Sequence, residues 1–79
     1  MPRLPDDDEW LARERRAIGD RIRVERLHQN RTQESIFLAA EMSRSAYQAV
    51  ETGAADARVT TLLKIARVLG VHVTDLLHD

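Results

Sequence analysis

Apolar positions recur along the chain at three- and four-residue intervals, and no stretch alternates apolar and polar residues as a strand would. After Asp7 or Asp8, either of which can cap a helix, strong helix formers run to about Gln29 with no proline and one glycine. Leu11, Ile18 and Ile22 fall on one stripe of that helix at about 100° per residue, and Trp10, Ala17 and Val24 on a neighbouring one. Two stripes fit two packing partners, the domain's own core and another chain, and a single broad core face fits equally well. Asn30 suits a left-handed helix end. Thr32 and Ser43 are placed to cap two short helices, the second closed by Gly53, and after "AADAR" a fourth carries Leu62, Ile65, Ala66 and Leu69 at helical spacing up to Gly70. The pattern predicts an all-α protein of one domain over 8–79, with helices at about 8–29, 33–40, 44–52, 60–69 and 73–77. A flexible acidic arm is expected over 1–7.

Composition narrows the chemistry. Seventy-nine residues support only a thin core. The absence of cysteine removes disulfides and thiolate metal sites, and a reducing, cytoplasmic setting is the simplest expectation. His28, His72 and His78 have no partners at metal-ligand spacing, so no metal and no cofactor is expected. No apolar run reaches the ~20 residues of a membrane span, and no signal-peptide core is seen. The net charge of −1 cuts against a generic nucleic-acid binder, which is usually basic. The charge is uneven, however. Residues 13–31 hold seven arginines against three acids, whereas residues 32–53 hold one arginine against three glutamates.

The segments "IGDRIR" (18–23), "TQES" (32–35), "SRSAYQAVETG" (43–53), "TLLKIARVLGV" (61–71) and "DLL" (75–77), in this order and spacing, resemble the lambda repressor/Cro-type (XRE-like) helix-turn-helix family. The resemblance implies a five-helix DNA-binding domain, here with an extended first helix. It also implies an ion pair between Arg26 and Glu51, because the matching positions in related repressors join the first and third helices. Three positions depart from the family pattern. Phe37 and Ala40 exchange the usual small and large residues on one face of the second helix, which can offset in volume. Glu41 stands where the turn usually has glycine, at a cost of about 1 kcal/mol if the left-handed geometry is kept. Leu38 stands where the family tends to be polar.

With Tyr47 and Val50 facing inward, Arg44, Ser45, Gln48, Ala49 and Thr52 fan outward over a little under half the circumference of the third helix. Arginine can donate twice to guanine, glutamine can pair with adenine, serine suits either, and alanine can pack on a thymine methyl. By resemblance, Arg44, Ser45, Gln48 and Ala49 are the candidate base contacts. Gln33, whose family counterpart binds a phosphate, joins Arg21, Arg23, Arg31 and Thr52 as candidate phosphate contacts. The "AADA" loop lacks the basic residues that grip the backbone in relatives.

Double-stranded DNA is therefore the expected partner, bound by a homodimer, since one unit covers only a half-site. The Trp10/Ala17/Val24 stripe and "VHVTDLLHD" are the candidate dimer surfaces. No small-molecule ligand and no membrane is expected. The competing function is a protein-interaction or antitoxin-like module that keeps the fold and mainly binds a protein partner. An enzyme is disfavoured, because no nucleophile–base pair, convergent carboxylates or glycine-rich phosphate loop is present.

Overall fold

The first helix, α1 (Asp7–His28), is the longest element of the computed structural model, which describes residues 7–78. It is followed by α2 (Gln33–Ala39), α3 (Arg44–Thr52), α4 (Val59–Leu69) and α5 (Val73–Leu77). There is no strand among the described residues. The arm expected over 1–7 lies outside them, apart from Asp7, which already belongs to α1. No helix among them is long and apolar enough to cross a membrane.

Local chemistry sets the helix ends. The Thr32 hydroxyl accepts from the Ser35 amide at 3.0 Å, and the Ser43 hydroxyl accepts from the Ala46 amide at 3.1 Å, each satisfying one of the free amides of a first turn. Asp75 accepts from the His72 amide at 3.1 Å at the start of α5. Helix α3 stops at Gly53, whose φ of +81° an L-residue adopts only under strain. Asn30 and Glu41 also take left-handed φ values, +55° and +57°. At Glu41 this geometry lets the Met42 amide reach the Phe37 carbonyl at 2.8 Å, turning the chain from α2 into α3 without glycine.

Helix α1 packs chiefly on α3 and α5, while α2 packs on α3 and α4. Ile22, Ile36, Tyr47, Ile65 and Leu76 are fully buried where these faces meet, and Phe37, Val50, Leu62, Ala66 and Leu69 complete the core. Each large side chain buried in this way contributes about 1.5–3 kcal/mol of transfer free energy. The α1–α3 contact is set by Gly19. A Cβ there would stand 2.7 Å from the Val50 carbonyl oxygen and closer still to that of Glu51, so the two backbones meet only because this side chain is absent. The Phe37/Ala40 exchange is accommodated with both residues buried, the Phe37 ring tilted at 44° to Tyr47 with centroids 6.3 Å apart.

The stripes of α1 divide differently from the periodic pattern. Ile18 and Ile22 reach the core, but Leu11 stays 44% exposed. Gly53, at the end of α3, lies against the backbone of Arg16, so the earlier turns of α1 extend past the helix that would have covered Leu11. On the neighbouring stripe Trp10 and Val24 are 51% and 60% exposed, and Ala17 is half-buried. The domain's own core therefore does not cover that second stripe.

Candidate nucleic-acid interface

Arg26 and Glu51 sit beneath the outer surface of α2 and α3. Arg26 donates from Nε to Glu51 Oε2 at 3.1 Å and from Nη2 to Glu51 Oε1 at 2.8 Å, a two-pronged pair between buried side chains. Its remaining arm, Nη1, donates to the Arg31 carbonyl at 2.9 Å. Burial alone would push the Glu51 carboxyl up, but the Arg26 guanidinium, then the neighbouring Tyr47 hydroxyl and the Gln33 amide, outweigh it and hold the carboxyl below the ordinary carboxylate range. The Tyr47 hydroxyl is buried and finds no hydrogen-bond partner among the described residues. That burial, reinforced by the Glu51 carboxylate, pushes the phenol well above its ordinary value.

From this buried pair a chain of hydrogen bonds leads to the surface. Gln33 Nε2 donates to Glu51 Oε1 at 3.2 Å, and Gln48 Nε2 donates to Gln33 Oε1 at 3.1 Å. The amides of the first residue of α2 and the middle of α3 are thereby held in register. Arg44 and Ser45 are exposed at the start of α3, whereas Gln48 and Ala49 are half-buried one turn later. Arg44 Nη2 donates to Glu34 Oε2 at 3.3 Å, and its Cζ lies 5.2 Å from the centroid of the Phe37 ring. Ser45 Oγ is 3.5 Å from the capping Ser43 Oγ.

The sequence-predicted phosphate set does not converge on one place. Arg23, Gln33 and Thr52 line one open cleft of about 450 Å³ between α1 and the α2–α3 pair, together with Arg16, Asp20 and Glu51. Arg23 Nη2 is 3.6 Å from Asp20 Oδ1, a loose exposed pair, and Thr52 Oγ1 donates to the Ala49 carbonyl at 3.4 Å. Arg31 and Arg21 are engaged elsewhere. Arg31 Nη1 donates to the Val68 carbonyl at 2.7 Å, beside Gln29 Nε2, which donates to the Leu69 carbonyl at 2.7 Å. These two side chains satisfy carbonyls at the end of α4, where a cation also suits the helix dipole. Arg21 Nη1 donates to the Leu76 carbonyl of α5 at 3.2 Å.

Two residues of this surface were not singled out from the sequence. Arg16 shares the cleft with Arg23, and their seven-residue separation, two helical turns, was the available signal. Glu34 had no comparable signal, because its neighbour Arg44 is ten positions away on another helix.

Residues 22–76 match the family model described as helix-turn-helix. The chain belongs to the helix-turn-helix family. As such it is a DNA-binding transcription regulator, its α2–turn–α3 unit carrying the surface just described. Among solved structures it is similar to the restriction-modification controller protein C.AhdI from Aeromonas hydrophila. The TM-score is 0.74 and the identity 26%, and the likeness covers 77% of this chain and 92% of that one. No curated protein matches the chain. The match to the helix-turn-helix family includes both Arg26 and Glu51 and the whole outer face of α3.

Proposed function

We propose that this regulator is sequence-specific, reading the major groove with α3 as a symmetric dimer. The observation that carries the proposal is the division of α3. Tyr47, Val50 and Glu51 are buried, Ser45, Gln48 and Ala49 turn away from them, and Arg44 is exposed at the first position of the helix, flanking the buried face. The first turn of such a helix reaches base edges first. Arg44, Ser45, Gln48 and Ala49 are the proposed base contacts, and Gln33, Thr52, Arg23 and Arg16 the phosphate contacts around the cleft beside them. Arg21 and Arg31 are the weaker members of the phosphate set, since reaching DNA would cost them their bonds to helix carbonyls. The uncovered Trp10/Ala17/Val24 stripe supports pairing with a second copy. The controller role of the Aeromonas protein supports a regulator of similar kind.

Selecting bound duplexes from a random pool tests this. A palindrome with half-sites about one helical turn apart, bound with an affinity that falls steeply with salt, is the expected result. Absence of enrichment and of binding at low salt would overturn it. That outcome would favour a protein-interaction or antitoxin-like module, a reading supported by Leu38, which is 64% exposed beside the exposed acids Glu34 and Glu41.

A further inference from the structure

Arg44 stands at the first position of α3, the positive end of a helix dipole, where a cation is disfavoured. Two groups from α2 compensate. The Glu34 carboxylate accepts its hydrogen bond at 3.3 Å, and the buried Phe37 ring supplies a π face 5.2 Å from its Cζ. Both helix N-termini thus bring opposite charges together across the turn. The helix dipole accounts for an acid in the first turn of α2, but not for its contact with residue 44. Nor does fold stability account for the pair, since both side chains are about 60% exposed and water screens them. Glu34 is, moreover, an acid on a surface that has to approach an anion.

We infer that Glu34 is a specificity-determining residue that acts through Arg44, holding the guanidinium between its own carboxylate and the Phe37 ring until a matching base pair replaces that arrangement. The inference rests on the groove-reading role proposed above for α3. On DNA of arbitrary sequence, a phosphate reaching Arg44 must displace Glu34 and also meets its negative charge. The exchange offers one ion pair for another, with an added repulsion. On a guanine, O6 and N7 present two acceptors to the guanidinium fork, and the released carboxylate can accept from a cytosine amino group in the same groove. Glu34 therefore weakens contacts made by charge alone more than contacts made by a matched base. This is a position-specific device in a segment where Arg44 is the one arginine among three glutamates.

The test compares wild type with Glu34→Gln and Glu34→Ala on three fluorescent duplexes. These are the sequence enriched from the random pool, single-pair variants of it, and a random-sequence duplex. Glu34 is exposed, and a cooperative circular dichroism melt with its midpoint within about 8 °C of wild type, the most that losing one exposed ion pair shifts a domain of this size, verifies that both variants remain folded. Removing the charge is expected to strengthen binding to random DNA and to steepen its salt dependence. The ratio of specific to random affinity should shrink by about 1.4-fold to fivefold, the range an exposed charge pair carries. The loss should be concentrated at one base pair of each half-site. An equal gain on all duplexes, with the ratio unchanged, would overturn the inference and leave Glu34 a general surface charge. Arg44→Ala separates this failure from that of the groove reading. If Arg44→Ala keeps the wild-type base preference, α3 does not read through Arg44 and the inference falls, whereas the groove reading itself falls only if no sequence is enriched and no duplex is bound at low salt. If it loses preference at one base pair while Glu34→Gln keeps its ratio, the inference about Glu34 alone falls.

Discussion

Among the described residues, two arginine–glutamate pairs link helices, and they behave as opposites. Arg26–Glu51 is buried, two-pronged and closed by further bonds to Arg31 and Gln33. Arg44–Glu34 is exposed, single-pronged and longer. The first pair joins α1 to α3 in a place where neither charge can return to water without opening the fold. The second is open to water, and either side chain can leave its partner for solvent at little cost. The same two side chains thus form a structural joint when water is excluded and an exchangeable contact when it is not.

Breaking the buried joint should give the largest effect. Glu51→Ala leaves Arg26 buried without its counter-ion and is expected to destabilise the domain by about 3–5 kcal/mol. A thermal melt matching wild type would show that the pair contributes nothing of the kind. The same carboxylate gives stability a direction with pH. Its folded pKa lies below the ordinary value of 4.5, so its contribution is complete above that value and is lost as pH falls below it, through the folded pKa. Acid titration of the melting temperature should show that loss in wild type and a flatter profile in Glu51→Gln.

Gly19 tests whether the joint depends on backbone approach as well as charge. Gly19→Ala forces α1 away from α3 at the Val50 and Glu51 carbonyls, and a loss of about 1–3 kcal/mol is expected. A neutral result in denaturant titration would mean that the helices separate without disturbing the ion pair. On the other side of α3, Glu41→Gly should relieve the left-handed strain at φ +57° and stabilise the domain by about 1 kcal/mol, net of the extra freedom glycine has when unfolded. A lower melting temperature for Glu41→Gly would show that the side chain compensates for its backbone.

The smallest effect is reserved for the exposed pair. A double-mutant cycle of Glu34→Ala and Arg44→Ala should give a coupling of about 0.2–1 kcal/mol in folding stability. A coupling as large as that of Arg26 with Glu51 would erase the distinction between the two pairs.

Much of this architecture could be read directly from the residues. The caps Thr32 and Ser43, the left-handed ends at Asn30 and Gly53, and the spacing of Leu62, Ile65, Ala66 and Leu69 act within one turn of chain, and the corresponding helices lie within a residue or so of their expected bounds. The outer face of α3 was equally visible, because helical periodicity places Ser45 opposite Tyr47, with Gln48 and Arg44 towards its flank, once Tyr47 is taken as buried. Leu11 shows where periodicity stops. It has the right phase for the core, yet whether a helix face is covered depends on how far the opposing helix extends.

Local sequence thus determined the helices, their ends and the polar face that α3 presents, since capping and periodicity operate over three to four residues. Only the tertiary structure decided how the arginines are divided. Arg26 is enclosed with Glu51, Arg31 and Arg21 bind the ends of α4 and α5, Arg16 and Arg23 remain at the cleft, and Arg44 rests on Phe37 against Glu34. A guanidinium on a long, flexible stem takes whichever acceptor the packed helices bring within reach, and those acceptors lie on other elements of the chain.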